Sequence, residues 1–529
     1  MLGGERKLGT RLVRVASLSQ CRPQVTKRPN DMRVRAGHWI TIWLIALSSR
    51  LTAAFLLPNP EQDGYSYAEI IARLSSQISG GHLQLVDLFG FWFPLFSLTA
   101  AIPNCWVDNS LVAGKVLSAL CGAGSCVIVF AIAQRITRSI TLGYLAFALV
   151  VLNPLHLLYS AACMTDVPGS FLVLASLWSL LRRRWVLAAV FAALAGCVRI
   201  EPWALIPLLP LVQFAYEKRI SITALIILIF PPLAWLAISH LATGDPFAYF
   251  AARARYHANY LDFYPTRHGF ALADIRQDVD YFLLGANRIV VLAIIATAIL
   301  LILRGVRGHR LMPLSWTAPL AYAAALFGFL FLAYVTKRQP VILPRYGLIL
   351  FPLGVPLLTW LIGLSIKHWP RSLSVKLIAL ILIGLCLRET KGQVDTVWKV
   401  RADFRAHQEV AHALRAAFSQ SSNAEQRCFS DDVGVRVLSR LPADRFVRSA
   451  FAPVSAWQDA AVFESYLEEN RVTYLVFTKI EDSLPPRLFP QLGSSAQINS
   501  EKFQLIAFAP SPFGSDVWLY RLRDTEPPR

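Results

Sequence analysis

The sequence predicts a mainly α-helical, polytopic membrane bundle of about eleven spans with a small C-terminal extracytoplasmic α/β domain, and three observations carry that prediction. Of the 529 residues, 55% are hydrophobic and only 16% charged, against about 25% charged in soluble globular chains; the mean hydropathy is +0.47. The apolar residues are also gathered into blocks such as 221–238 and 346–364, long enough for a helix to cross a bilayer. The formal net charge of +19 is sorted by position. Basic clusters stand at every second junction between apolar blocks: Arg135 and Arg138; Arg182, Arg183 and Arg184; Lys218 and Arg219; Arg304, Arg307 and Arg310; Lys367 and Arg371. That is the positive-inside pattern, so the basic balance needs no nucleic acid to explain it. A disordered, collagenous or disulfide-stapled chain is excluded by the same composition.

Taken in order, residues 1–38 carry nine Lys or Arg and no apolar run, which reads as a basic cytoplasmic tail. Trp39 to Leu57 is span one. The polar Pro58-Asn59-Pro60 follows it where a cleaved signal would have small residues. Further spans are predicted near 111–133, 140–159, 167–181, 185–198, 203–216, 220–240, 288–303, 314–334, 346–365 and 374–387. With the N-terminus inside, loops 58–110 and 241–287 face outward, within a transmembrane domain over 39–390. Residues 391–529 form the soluble domain. Its strands are expected at 427–430, 446–449, 474–478, 503–509 and 517–522, with helices near 401–419, 432–440 and 457–470. Five of the eight cysteines lie in or near spans and read as small buried residues; Cys105 and Cys428 are outward, with nothing to bring them together. No Cys/His spacing suggests zinc.

The charges that invite a chemical role lie on the outward side. Asp63 follows span one in Glu61-Gln62-Asp63-Gly64-Tyr65, where desolvation beside an apolar cavity suits a general base; an N-cap for a helix starting at Gly64 explains it equally well. Asp166, in Met164-Thr165-Asp166-Val167-Pro168, carries the same two readings. Arg199-Ile200-Glu201 sets opposite charges on one tight turn, as a structural pair or as groups orienting a catalytic carboxylate. Arg50 inside span one should face the bundle. Lys337-Arg338 and Arg345-Tyr346 stand on the side where cations are scarce. A guanidinium fork matches phosphate oxygens, so a lipid-linked phosphate is the expected ligand, Arg345 its leading contact, and headgroup snorkelling the rival explanation. His257 and His268 lie in the outward loop 241–287, where solvation is the simpler account. Asp431-Asp432 could bind a cation, though a strand-to-helix N-cap is the simpler reading.

These pieces together resemble the GT-C class of polytopic glycosyltransferases, within it the branch of protein O-mannosyltransferases and the lipid A aminoarabinose transferase. The resemblance rests on Glu61-Gln62-Asp63-Gly64-Tyr65, Trp92-Phe93-Pro94-Leu95-Phe96, Asn153-Pro154 leading to Ser160 and Asp166, the Arg199-Ile200-Glu201 turn, and Pro344-Arg345-Tyr346. It implies interfacial helices over the bundle and a polyprenyl- or dolichyl-phosphate-linked sugar donor. The acceptor, a protein, lipid or glycan, would enter from outside, as in a bacterial plasma-membrane enzyme. By motif position Asp63, with Asp166 and Glu61, would be the catalytic carboxylates. Arg345, Arg338, Lys337 and Tyr346 would bind the donor phosphate, and Arg199, Glu201, Tyr65, Trp92 and His268 would bind or orient substrate. The acids Glu61 and Asp63 are split by Gln62, which departs from the usual acidic pair and leaves a divalent metal open. With one base and no second nucleophile, single displacement with inversion is expected. The rivals are a lipid transporter and a catalytically inactive binding subunit; no repeat between the two halves favours the first.

Overall fold

The computed structural model describes residues 36–84, 93–251, 272–306, 313–336, 342–368, 373–420, 426–448, 454–478, 484–490, 492–493, 502–512 and 516–523. The fold is a helical membrane bundle with a small C-terminal sheet. Each of the eleven predicted spans falls on helix. They are α1 (Ala36–Leu56), α4 (Ser110–Thr137), α5 (Ile140–Val151) with α6 (Pro154–Ser160), α7 (Asp166–Leu181), α8 (Trp185–Gly196), α9 (Leu205–Glu217), α10 (Ile222–Thr243), α12 (Arg288–Val306), α13 (Leu314–Val335), α14 (Pro344–Leu348) with α15 (Phe351–His368), and α16 (Leu373–Gln420). Residues up to Ile42 form a unit of their own, whose described part is the start of α1. By length and composition α1, α4, α10 and α13 are each able to cross a bilayer among the described residues.

Side-chain exposure shows which faces meet lipid. On α10, Ile222, Ile226, Phe230, Leu233 and Leu241 are all exposed, a stripe at helical spacing that would be intolerable in water over that length. Leu292, Ile295, Ile299 and Ile302 repeat the pattern on α12. Helix α4 is the opposite case: Gly114, Ser118 and Gly122 recur every four residues and are buried, the small-residue spacing that lets neighbouring helices approach closely in a membrane.

One expected single span is bent, and the junction between an outward-loop helix and the next span turns sharply. The span at 140–159 breaks by 66° between α5 and α6, because Pro154 has no N–H to continue the helix and Asn153 accepts from the His156 N–H at 2.7 Å to start a new one. The helix α11 (Leu272–Ala286) meets α12 at 87°, through Asn287 at φ +65°, a conformation that Asn tolerates better than most residues.

Helices α2 (Gln62–Ser79) and α3 (Pro94–Val107) occupy the first loop. They pack together through Tyr67, Ala68, Ile71, Leu74, Phe96 and Ala100. At the other end of the chain α16 runs unbroken from the last apolar block into the soluble part. There β1 (Arg427–Ser430), β2 (Phe446–Val447), β3 (Val472–Thr478), β4 (Phe503–Ala509) and β5 (Val517–Leu522) form one sheet in the order β2-β1-β3-β5-β4. The β2-β1-β3 part is parallel and the β3-β5-β4 part antiparallel. Alternation along β3 sorts its side chains: Leu475 and Phe477 pack with Phe429, Phe463 and Tyr520, while Tyr474 and Val476 pack with Val410 and Leu414 of α16. Helices α17 (Val433–Ser439) and α18 (Ala460–Glu469) lie close to the predicted positions. Cys105 and Cys428 are both free thiols.

Candidate active site

The site is assembled from chain segments held by backbone-level contacts. From α4, Lys115 reaches the C-terminal end of α1, its Nζ 3.1 Å from the Ala54 carbonyl and 2.6 Å from that of Leu57; a cation is well placed against those orphan carbonyls. Asn59 then accepts from the Cys163 N–H at 2.9 Å. Gly64 lies so close beneath it that a Cβ would come within 2.8 Å of the Asn59 side chain. The turn from α1 into α2 is thereby fixed. Helix α2 begins at Gln62, two residues before the expected start, with Glu61 at its N-cap position making no side-chain cap bond. Neither Glu61 nor Asp63 spends its carboxylate on the cap of α2.

Both acids meet Arg345. Its Nη1 is 2.8 Å from Glu61 Oε2 and 2.6 Å from Asp63 Oδ2. The three side chains are 12%, 20% and 27% exposed, respectively, so the pairing is partly screened from solvent. Helix α14 carries Arg345 and is pinned by two glycines: a Cβ on Gly285 of α11 would lie 1.7 Å from the Pro344 carbonyl oxygen, and one on Gly347 would lie 2.2 Å from that of Phe282. Only glycine allows such backbone contact. Tyr159, at the end of α6, donates to the other Glu61 oxygen at 2.7 Å. Burial pushes the Glu61 carboxyl up to about 7; Arg345 and Tyr159 hold it down, and the Asp63 charge adds to the rise. The Tyr346 ring is shared between two guanidiniums, 5.3 Å from that of Arg345 and 5.9 Å from that of Arg199. Arg345 Nε is buried with no hydrogen-bond partner among the described residues.

A second ion-pair set lies alongside. Arg199 binds Glu201 as a fork, Nε to Oε2 at 3.1 Å and Nη2 to Oε1 at 2.6 Å, and its Nη1 reaches Asp166 Oδ1 at 2.6 Å. Asp166 is the first residue of α7, with Thr165 at the N-cap position. Its Oδ2 is buried and has no hydrogen-bond partner among the described residues. Its charge is felt at both Glu61 and Arg345. Tyr67 and Thr165 link α2 to this set through their hydroxyls at 3.2 Å. Tyr65 is buried on another side of α2, where the charges of Asp432 and Asp403 act on it.

The structure therefore brings Glu61, Asp63, Arg345 and Tyr346 together, sets Asp166, Arg199 and Glu201 beside them, and turns Tyr65 away. Trp92, Lys337, Arg338, His257 and His268 lie outside the described residues. Tyr159 and Lys115 complete the site without having been singled out in the sequence; an aromatic hydroxyl and a lone lysine at span ends were the only signals. Arg50 is fully buried, donating to the Val150 and Val151 carbonyls. Among the described residues no three His, Cys, Asp or Glu side chains are grouped to hold a metal ion, and the carboxylates that would offer one are paired with guanidiniums.

No protein-family model matches the chain, and no curated protein matches it. Solved structures do. The chain is similar to ArnT from Cupriavidus metallidurans bound to undecaprenyl phosphate, with a TM-score of 0.55 and 12% identity over 93% of this chain and 100% of that one. Similarity to the apo state of the same protein gives a TM-score of 0.52 at 13% identity, with the same shares covered. The fold is thus shared with ArnT.

Proposed function

We propose that this protein is an integral-membrane glycosyltransferase that moves a sugar from a polyprenyl-phosphate carrier to an acceptor on the extracytoplasmic side. The observation that carries the reading is the meeting of two carboxylates and one guanidinium, drawn from the first loop and a late helix, in a fold shared with a protein that binds undecaprenyl phosphate. A sugar on a lipid phosphate already has its leaving group. The protein must hold that phosphate, stabilise its growing charge and take a proton from the acceptor.

Arg345 supplies the first two roles. Its Nε has no partner among the described residues, and a buried donor in that state costs about 1–3 kcal/mol; a phosphate oxygen would satisfy it. The Glu61/Asp63 pair supplies the third. An acceptor oxygen forms the new bond to the anomeric carbon as the bond from that carbon to the phosphate oxygen breaks, the electron pair leaving with phosphate. The acceptor proton passes to Asp63, and the single displacement inverts the sugar carbon. Glu61, near neutrality in its affinity for a proton, is the second carboxylate of the pair. Arg199, pinned by Glu201 and Asp166, sets the wall behind Tyr346. By the positive-inside pattern the N-terminus is cytoplasmic, and the site and the C-terminal domain are outside.

The test is incubation of the purified protein with a panel of polyprenyl-phosphate sugars and candidate acceptors, read by mass spectrometry for transfer of a hexose or pentose. Asp63→Asn should abolish turnover and keep lipid-phosphate binding, while Arg345→Gln should lose both. Wild-type turnover in Asp63→Asn would sink the catalytic assignment, and lipid export without sugar transfer would favour a transporter.

A further inference from the structure

We propose that the soluble C-terminal domain is a positioning element for the Glu61/Asp63 pair, acting through Gln62, the residue that separates the two acids. The inference rests on the reading of that pair as the reacting carboxylates. Glu61 and Asp63 face Arg345, whereas Gln62 between them makes its contacts with the C-terminal domain. Its Oε1 accepts from the Gly434 N–H at 2.8 Å, which fixes the orientation of the amide. Its Nε2 then donates toward Asp432 Oδ2 at 3.3 Å and lies 3.0 Å from His407 Nε2. His407 Nε2 reaches the same carboxylate oxygen at 3.0 Å, while its Nδ1 lies 2.9 Å from the Asp403 carbonyl. His407 Nε2 thus sits against both the Asp432 carboxylate and the Gln62 amide nitrogen.

Asp432 is the centre of the clamp. Its Oδ1 caps α17 by accepting from the Val435 N–H at 2.7 Å, so the oxygen that holds Gln62 belongs to a side chain that cannot swing. Burial would lower the His407 pKa, but the Asp432 charge and hydrogen bond, with Asp403, hold it up to about 9. Burial would raise the Asp432 carboxyl, and His407 with the α17 backbone keeps it below its usual range. Gly434 is closely packed: a Cβ there would come within 3.2–3.3 Å of Asp432, Gln62 and His407 at once, and each would have to give by a few tenths of an ångström.

Two helical turns further along α2, Glu69 makes a second attachment. Arg436 binds it as a fork at 2.9 and 3.3 Å, and Arg448 at 3.2 Å. Gln62 does something more local, because it leaves the peptide between two reacting carboxylates no freedom to rotate.

The test compares Gln62→Ala with Glu69→Ala in the full-length protein, by hydrogen–deuterium exchange over residues 58–66, melting temperature and turnover of the accepted polyprenyl-phosphate sugar. Gln62→Ala should raise exchange at 58–66, lower kcat at least tenfold, leave the donor KM within twofold and move the pH–rate midpoint; the melting temperature should change by no more than in Glu69→Ala. Gln62→Asn, which keeps the amide on a shorter stem, should recover part of kcat. Wild-type exchange at 58–66 and wild-type kcat in Gln62→Ala, with Asp63→Asn inactive, overturn the proposal and leave the site reading intact. Wild-type turnover in Glu61→Gln, Asp63→Asn and Arg345→Gln instead sinks the site reading, and the exchange data then judge the clamp alone. A fall in kcat matched by an equal fall in melting temperature in both variants would reduce Gln62 to a docking contact and overturn the proposal.

Discussion

Replacing Glu61 by Gln isolates the most perturbed acid of the site in a measurement that needs no substrate. Burial moves this carboxyl from an ordinary 4.5 to about 7. Each pH unit of difference between folded and unfolded titration is worth about 1.4 kcal/mol, so the shift amounts to about 3 kcal/mol. The sign follows from proton binding. Between pH 4.5 and 7 the folded state keeps a proton that the unfolded chain has lost, so stability falls as pH rises through that window and levels off above it. Gln keeps the shape and can still accept the Tyr159 hydroxyl, but it does not titrate. Thermal unfolding of both proteins in detergent from pH 4.5 to 8 gives a difference curve in which all other titrations cancel. Glu61→Gln should gain on the wild type by about 3 kcal/mol across the window, less a constant for the lost Arg345 pair, which for a chain of this size is a few degrees in Tm. In an Asp63→Asn background the window should narrow from its upper end, because the Asp63 charge helps to raise Glu61. A flat difference curve would show that Glu61 is an ordinary surface carboxylate and would refute the electrostatic description of the site.

Arg345→Gln removes the fork but not the bulk; at about 1.5–3 kcal/mol per charge-assisted bond, undecaprenyl phosphate should bind at least tenfold more weakly by native mass spectrometry, and an unchanged Kd would remove Arg345 from donor binding. Gly347→Ala forces a Cβ to 2.2 Å from the Phe282 carbonyl and should destabilise by several kcal/mol. Gly285→Ala strains the same backbone contact, so the two costs should add to less than their sum in thermal melts, and independent costs would argue against that contact. Arg199→Ala strands Asp166 and Glu201 as buried, unpaired acids and should cost about 3–5 kcal/mol. Adding Asp166→Asn and Glu201→Gln to it should restore most of the loss in the melting temperature, and failure of that rescue would mean that Arg199 acts through something other than these pairs.

Much of this architecture is legible in the sequence because membranes punish exceptions. Apolar block length, basic residues at alternate junctions and the change of composition after residue 390 each answer to one strong physical term, and each predicted span and strand is matched by helix or strand. Details set by backbone contact were harder. The 66° break before α6 was implicit in Asn153-Pro154, yet hydropathy runs straight through it. Gly285 and Gly347 hold α11 against α14, but nothing local distinguishes them from glycines that merely tolerate lipid. Capping offered a sufficient explanation for Asp63 and Asp166, and neither is the N-cap residue of its helix; only the distance to a guanidinium far along the chain separates a carboxylate that caps from one that pairs.

The pairing itself explains how one guanidinium can serve two purposes on the proposed reading. Two acids at the same membrane face would repel and drive one another to protonate. Arg345 offsets part of that cost at rest by holding both through a single nitrogen, and its Nε has no partner among the described residues. A phosphate drawn to the fork competes for the same positive charge. As it takes a share, the hold on Glu61 and Asp63 weakens, and their affinity for a proton rises at the moment when an acceptor must surrender one. Tyr159 keeps Glu61 in place through its other oxygen, and Gln62 keeps the peptide between the acids from following the guanidinium. Donor binding would then switch the carboxylates from counter-ions to bases with little movement of the backbone that carries them.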